Sequence, residues 1–121
     1  MHHDNYIQDL FTSVDSMDGT VLASMMTHKG RFRFANFPAV QGRTAITAFL
    51  NNFYKSIKAI KHDRLEHWAV DNSRFATGRV TYTRHDSTTL TVPFSVILRM
   101  QDKLIDEYLI FVDSSELYSQ K

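Results

Sequence analysis

Apolar residues recur at helical spacing in the first quarter of the chain. Residues 4–18 carry one apolar stripe with polar residues opposite, which predicts a helix that ends at Asp18-Gly19. Its members are Ile7, Leu10, Phe11 and Val14. A similar pattern over residues 20–30 predicts a second, shorter helix that ends near His28-Lys29-Gly30. The chain therefore opens with a pair of helices.

Strand patterning follows, with one helix in its midst. Residues 31–34 alternate charge and aromatic with period two, as a half-buried strand does. After Gly42, apolar residues at steps of three and four predict a third helix: Ile46, Phe49, Leu50, Phe53 and Ile57. Further strands are predicted at about 60–70, 74–84, 89–100 and 104–112, joined by turns at Asp71-Asn72, His85-Asp86-Ser87 and Gln101-Asp102. Short turns imply an antiparallel meander. The expected fold is α+β, with a curved sheet wrapped around three helices.

The composition of the chain disfavours several classes of function. The 121 residues, 43% hydrophobic and 22% charged, predict a single domain over residues 1–121. The net charge of +1, without a basic cluster, disfavours a nucleic-acid partner. No cysteine, leader or membrane-spanning run is present, so we expect a cytoplasmic protein without a membrane partner. The chain lacks a glycine-rich phosphate loop, H-E-x-x-H and G-x-S-x-G, so no cofactor and no metal is expected.

Four segments carry a resemblance to a known family. The runs FRF-ANFPAV-QGRTAITAF, TGRVTYTR, TVPFSVILRM and EYLIFVD resemble SnoaL-like domains of the nuclear-transport-factor-2-like superfamily, over nearly the whole chain. The resemblance implies an α+β cone, in which helices pack in the concave face of a strongly curved, mixed, mainly antiparallel sheet around a mostly apolar cavity. It also implies a homodimer through the outer sheet face. The scaffold carries isomerases, cyclases, epoxide hydrolases, dehydratases and non-catalytic members, so activity must be argued from the site.

Two enzymes of this fold can be compared residue by residue. Where ketosteroid isomerase has its phenol, base and protonated acid, this chain has Leu10, Phe34 and Val96, which argues against that constellation. SnoaL-type polyketide cyclases place an Asp acid/base after the last strand, within D-x-x-x-L-x-x-Q. Here the matching residues are Asp113, Leu117 and Gln120, although the family's Trp is replaced by Leu109. The resemblance thus implies Asp113 as a catalytic residue. The alternative is that Asp113 caps a terminal turn.

His62 is the second catalytic candidate. Regular alternation places it on one strand face with Trp68, so His62 reaches the cavity if Trp68 packs inward. An imidazole there would serve as a general acid or base. The alternative is a rim histidine without chemistry. His67 is predicted to face the opposite way, so the two histidines would not chelate one metal.

Ligand-binding candidates come from six predicted elements. Tyr82 and Arg84 share a strand face, where their phenol and guanidinium groups could bind a polar group of a ligand. The alternative is that Tyr82 forms a cross-strand aromatic pair and Arg84 an exposed ion pair. The other predicted lining residues are Tyr54, Tyr108, Phe34, Phe49, Phe53, Trp68 and Val96, for all of which core packing is the alternative. Ser95 and Arg99 are expected to face outward, toward a dimer interface. His28 is expected at the end of the second helix.

The sequence leads to two hypotheses of different classes. In the first, the protein binds a small, largely apolar molecule in the cone and catalyses cofactor-free isomerisation, cyclisation or hydration/hydrolysis. In the second, it is a non-catalytic ligand-binding or dimerisation module. A closed cavity with two or more convergent polar side chains favours the enzyme, whereas an apolar cavity with Asp113 in solvent favours the module.

Overall fold

A computed structural model describes residues 5–118. The helices are α1 (Tyr6–Asp15), α2 (Gly19–Ser24) and α3 (Arg43–Lys55). The strands are β1 (Met26–Phe34), β2 (Val40–Gln41), β3 (Ala59–Val70), β4 (Ser73–Thr83), β5 (Thr89–Gln101) and β6 (Leu104–Val112). The start of the first helix at Asp4 and the residue Gln120 lie outside the described range.

Local sequence accounts for the helices. The predicted stripe of α1 is buried on one face, because its apolar residues recur every three or four positions. Asp18 begins α2 by accepting hydrogen bonds from the backbone N–H groups of Thr20 and Val21 at 3.0 and 3.4 Å. Gly42 precedes α3 with a φ of 90°, a conformation that glycine adopts without steric cost.

The six strands form one mixed sheet in the order β2-β1-β6-β5-β4-β3. β1 and β6 run parallel, and every other neighbouring pair is antiparallel. The three helices pack against this sheet, and the α+β cone is confirmed. The core lies between the two layers and contains fully buried residues from both, including Leu10, Ile46, Leu98 and Ile105.

The second helix is shorter than the sequence predicted. It ends at Ser24, and β1 begins at Met26, so the predicted helix end near His28 is wrong. Pairing with β6 explains the difference: Met26 lies opposite Ile105, and the Thr27 hydroxyl donates to Asp106 at 2.9 Å. His28 is consequently an exposed strand residue.

A bulge in β3 reverses the predicted direction of Trp68. Three steps along β3, from Asp63 to Glu66, match only two steps along β4, and Arg64 has a φ of 54° within this irregularity. His62 pairs with Val80 and His67 with Ala76, so both histidines share the inner sheet face.

Trp68 therefore lies on the outer face and is 52% exposed. The predictions that Trp68 lines the cavity with His62, and that His67 faces away from His62, are wrong. One extra residue in a strand inverts every following side chain.

Among residues 5–118, no helix is both long and apolar enough to cross a membrane.

Candidate active site

An internal cavity lies between the helices and the concave face of the sheet. Its volume is about 40 Å³. Six phenylalanines supply much of its wall: Phe11, Phe32, Phe34, Phe49, Phe53 and Phe94. Aliphatic side chains, Val96 among them, fill most of the rest. A water needs ~10–15 Å³ of such space, and an engineered cavity of ~150 Å³ holds benzene. The cavity as it stands therefore accommodates a few water-sized groups, and a larger ligand requires aromatic rings to move.

One histidine of the cavity wall, His62, is hydrogen-bonded to an aspartate, Asp15. His62 Nδ1 is 2.6 Å from Asp15 Oδ1, and the His62 backbone N–H donates to Asp15 Oδ2 at 3.0 Å. The His62 side chain is 8% exposed and the Asp15 side chain 23%. Because Asp15 is the last residue of α1 and His62 lies on β3, the pair also joins a helix end to the sheet.

The aspartate determines what the imidazole can do. An ionised carboxylate only accepts hydrogen bonds, so in neutral His62 the Nδ1 atom carries the proton and Nε2 is the basic nitrogen. The ring is fixed by Phe11, at a centroid distance of 4.6 Å, and by Phe94, at 5.0 Å and 89°. This arrangement suits a positioned general base, with the carboxylate stabilising the imidazolium after proton uptake.

Three phenols line the same cavity. Burial is the main cause that raises the pKa of Tyr54, Tyr82 and Tyr108 well above the ordinary value of 10.0. The negative charge of Asp15 adds to the rise for Tyr54 and Tyr108. The phenols are therefore neutral over the usual pH range and act as hydrogen-bond donors.

Arg84 lies away from the cavity. Its guanidinium donates to the carbonyl oxygens of Leu117 and Glu116 at 2.8 and 3.0 Å, and thereby fastens the C-terminal turn to the end of β4. The prediction that Arg84 shares a ligand site with Tyr82 is wrong, because the segment after β6 folds back and takes up its donors. Among the described residues, no Lys or Arg lines the cavity.

Asp113 also lies outside the cavity. It is exposed, and its carboxylate accepts a hydrogen bond from the Ser115 backbone N–H at 3.0 Å. Hydrogen bonds from Ser115 lower the pKa of Asp113. The prediction that this carboxylate faces the cavity is wrong, and its contacts are those of the capping alternative. Leu117, which follows it, is buried.

Eight predicted site residues do line the cavity: His62, Tyr54, Tyr82, Tyr108, Phe34, Phe49, Phe53 and Val96. The role of each in binding or catalysis stays a prediction. Asp15 was missed. The available signal was its spacing, because Asp15 lies one helical turn after Phe11 and so places a carboxylate beside the apolar stripe. Among the described residues, no cluster of three or more His, Cys, Asp or Glu side chains forms a metal site.

A known protein family matches most of the chain. Residues 7–108 match the model of the SnoaL-like domain. The chain belongs to the SnoaL-like domain family. Among curated proteins, none matches it significantly.

Solved structures share the fold of this SnoaL-like protein at low sequence identity. A candidate polyketide cyclase from Xanthomonas campestris pv. campestris has 15% identity and a TM-score of 0.84, over 93% of this chain and 91% of that one. A hypothetical protein from Catenulispora acidiphila with a ketosteroid isomerase-like fold, in complex with trimethylamine, has 12% identity and a TM-score of 0.82, over 91% and 86%.

A candidate SnoaL-like polyketide cyclase from Jannaschia has 18% identity and a TM-score of 0.78, over 93% and 86%. At these identities the likeness shows the fold alone. The three functional groups of ketosteroid isomerase have no counterpart in this chain, because the residues at those positions are buried apolar side chains: Leu10, Phe34 and Val96.

Proposed function

We propose that this SnoaL-like protein binds a small, largely apolar molecule in the cone and transfers a proton with His62, without a cofactor. The observation that carries the proposal is the partly buried Asp15–His62 pair, whose histidine lines an apolar cavity. Polar side chains that share an apolar cavity favour an enzyme, and His62 and three phenols line this one.

His62, Asp15 and the phenols have different roles in the proposed reaction. His62 Nε2 takes a proton from the bound molecule and returns it at another atom, while Asp15 is a positioning residue that maintains the tautomer. Neutral phenols donate hydrogen bonds to an oxygen that gains charge, and the apolar wall excludes water. Isomerisation, intramolecular cyclisation and hydration or hydrolysis all require this set of groups.

The experiment is a turnover screen of small apolar ketones and lactones with matched variants. His62→Gln is expected to lower the rate on any active compound at least ~100-fold, because it removes the general base. Asp15→Asn is expected to lower it less and to change the pH profile, since the carboxylate acts through His62.

Asp9→Asn, on the exposed side of the same helix, is the control and is expected to retain the wild-type rate. Equal turnover by wild type and His62→Gln would contradict the proposal.

A non-catalytic binding module is the second candidate. The cavity volume of about 40 Å³ and the position of Asp113 at the surface favour it. The same screen separates the two: a compound that binds in the cavity and is never converted, in wild type as in His62→Gln, supports the module.

We also propose that the protein forms a homodimer through the outer sheet face. An apolar row crosses four strands there, since Trp68 lies opposite Phe75, Phe75 opposite Ile97, and Ile97 opposite Leu109. Trp68 is 52% exposed and the nearby Phe111 50%. A contiguous apolar surface with a polar margin is typical of an interaction site. Arg99 and Glu107, 3.9 Å apart on the same face, supply charges of both signs for a self-complementary contact.

A further inference from the structure

Tyr54 has a buried hydroxyl that none of the described residues satisfies. The residue is 5% exposed, lies on α3 and lines the cavity, and its oxygen has no hydrogen-bond partner within residues 5–118. Leaving a buried donor unpaired is unfavourable, so such groups in native proteins commonly meet a ligand or a water. By contrast, the Tyr118 hydroxyl pairs with Ser56 Oγ at 2.5 Å.

Tyr54 and His62 line the same cavity. The charge of Asp15 contributes to the raised pKa of Tyr54, and the Tyr108 phenol interacts with both Tyr54 and Asp15. Asp15 in turn bonds to His62. A hydrogen-bond donor and a base therefore line one cavity.

The absence of a cationic side chain from the described cavity lining selects against anions. No Lys or Arg among the described residues lines the cavity, and Arg84 is occupied by the C-terminal turn. Moving a carboxylate into an apolar cavity without a cationic partner is strongly unfavourable. The nearby Asp15 carboxylate adds repulsion.

We infer that Tyr54 is a specificity-determining residue that donates a hydrogen bond to the oxygen of an uncharged carbonyl ligand, and that the cavity rejects the corresponding carboxylates. The inference rests on the proposed function and deepens it by naming the ligand class. A carbonyl oxygen accepts the orphaned donor, its neutral charge fits the lining, and a compact group fits the small volume.

Three probes of nearly one shape test this inference. Butanone carries the carbonyl group. In 2-methyl-1-butene a methylene replaces the carbonyl oxygen, and in propionate a charged oxygen replaces the methyl group that is bonded to the carbonyl carbon. Binding is measured by titration of the His62 imidazole NMR signals, assigned with His62→Gln. The quantity of interest is the ratio of butanone affinity to alkene affinity, because this ratio isolates the hydrogen bond from apolar burial.

Tyr54→Phe is expected to lower that ratio about tenfold, the effect of one lost hydrogen bond. Tyr118→Phe, which removes a phenol oxygen outside the cavity, is expected to leave it unchanged. Propionate is expected to produce no measurable shift in any variant.

An unchanged ratio in Tyr54→Phe overturns the role of Tyr54 and leaves the proposed function standing, provided butanone still shifts the His62 signals. Propionate binding as tightly as butanone overturns the selection against anions. Failure of wild type to bind either neutral probe overturns both the inference and the proposed ligand cavity.

Discussion

At the scale of single residues, the site depends on polar groups placed against an apolar wall. Asp15 is the last residue of α1, and its two carboxylate oxygens are hydrogen-bonded to the ring and the backbone N–H of His62. The same carboxylate one position earlier or later would leave that helix face. A functional group can thus be encoded by a single position on an otherwise apolar stripe.

The buried phenols make the protein sensitive to alkali. The pKa of Tyr54, Tyr82 and Tyr108 is raised above 10.0 in the folded state, so the unfolded chain releases these protons first. Their contribution to stability is complete below about pH 10 and is lost as the pH rises further. We therefore expect the free energy of unfolding in urea to fall progressively as the pH is raised above about 10.

Tyr82→Phe is expected to flatten this dependence, since one buried phenol no longer titrates. Ultraviolet absorbance of the phenolates is the check. If all five tyrosines ionise near pH 10 while the protein stays folded, the phenols are not protected and the prediction is wrong.

At the scale of elements, the bulge in β3 has the largest effect on the site. It lies opposite Gly78 of β4, where an added Cβ would come within 2.7 Å of the Asp63 carbonyl oxygen and 3.0 Å of the Phe94 ring. The close approach of two backbones at this point requires glycine. The bulge keeps His62 on the inner face and moves Trp68 to the outer one.

Gly78→Ala is therefore expected to lower the free energy of unfolding by ~1–3 kcal/mol, because the Asp63 backbone must shift. Urea denaturation measures the loss. Gly30→Ala is the matched control with a smaller expected loss, since the nearest backbone atom to its added Cβ, the Thr27 carbonyl oxygen, is 3.1 Å away, against 2.7 Å at Gly78. The nearest atom of all, at 3.0 Å, is the terminal methyl of the Met26 side chain. A Gly78→Ala variant as stable as wild type would show that the bulge accommodates a side chain.

Sequence patterns predicted some elements better than others. Helices α1 and α3 and the hairpins of β3 to β6 were predicted, because their apolar spacing and turn residues are local signals. The end of α2 was not, because Met26 joins a strand only through pairing with β6. The bulge leaves no local signal beyond Gly78, and so Trp68 was assigned to the wrong face.

At the scale of the whole molecule, the two sheet faces divide the functions that we propose. The inner face and the helices enclose the cavity, whereas the outer face carries the apolar row of Trp68, Phe75, Ile97 and Leu109. Burying such a row in a second copy would remove apolar surface from water without disturbing the core.

Trp68→Lys is expected to weaken the proposed dimer at least ~10-fold, since a central aromatic residue of an interface commonly contributes more than ~1.4 kcal/mol. Light scattering coupled to size-exclusion chromatography measures the mass. Val21→Lys is the control, because Val21 is also an exposed apolar residue, at 41%, but lies on α2. A wild-type protein that elutes as a monomer at high concentration would contradict the dimer.

The sequence by itself determined the fold class and part of the cavity wall, because both follow from apolar periodicity, which neighbouring residues encode. It also identified His62 and the three phenols as polar groups near apolar surface. Only the tertiary structure decided which polar groups meet. It brought Asp15 to His62 across 47 positions of the chain, turned Arg84 to the C-terminal turn and left Asp113 at the surface. These outcomes depend on strand register and on where α1 ends against the sheet, and no local pattern specifies either.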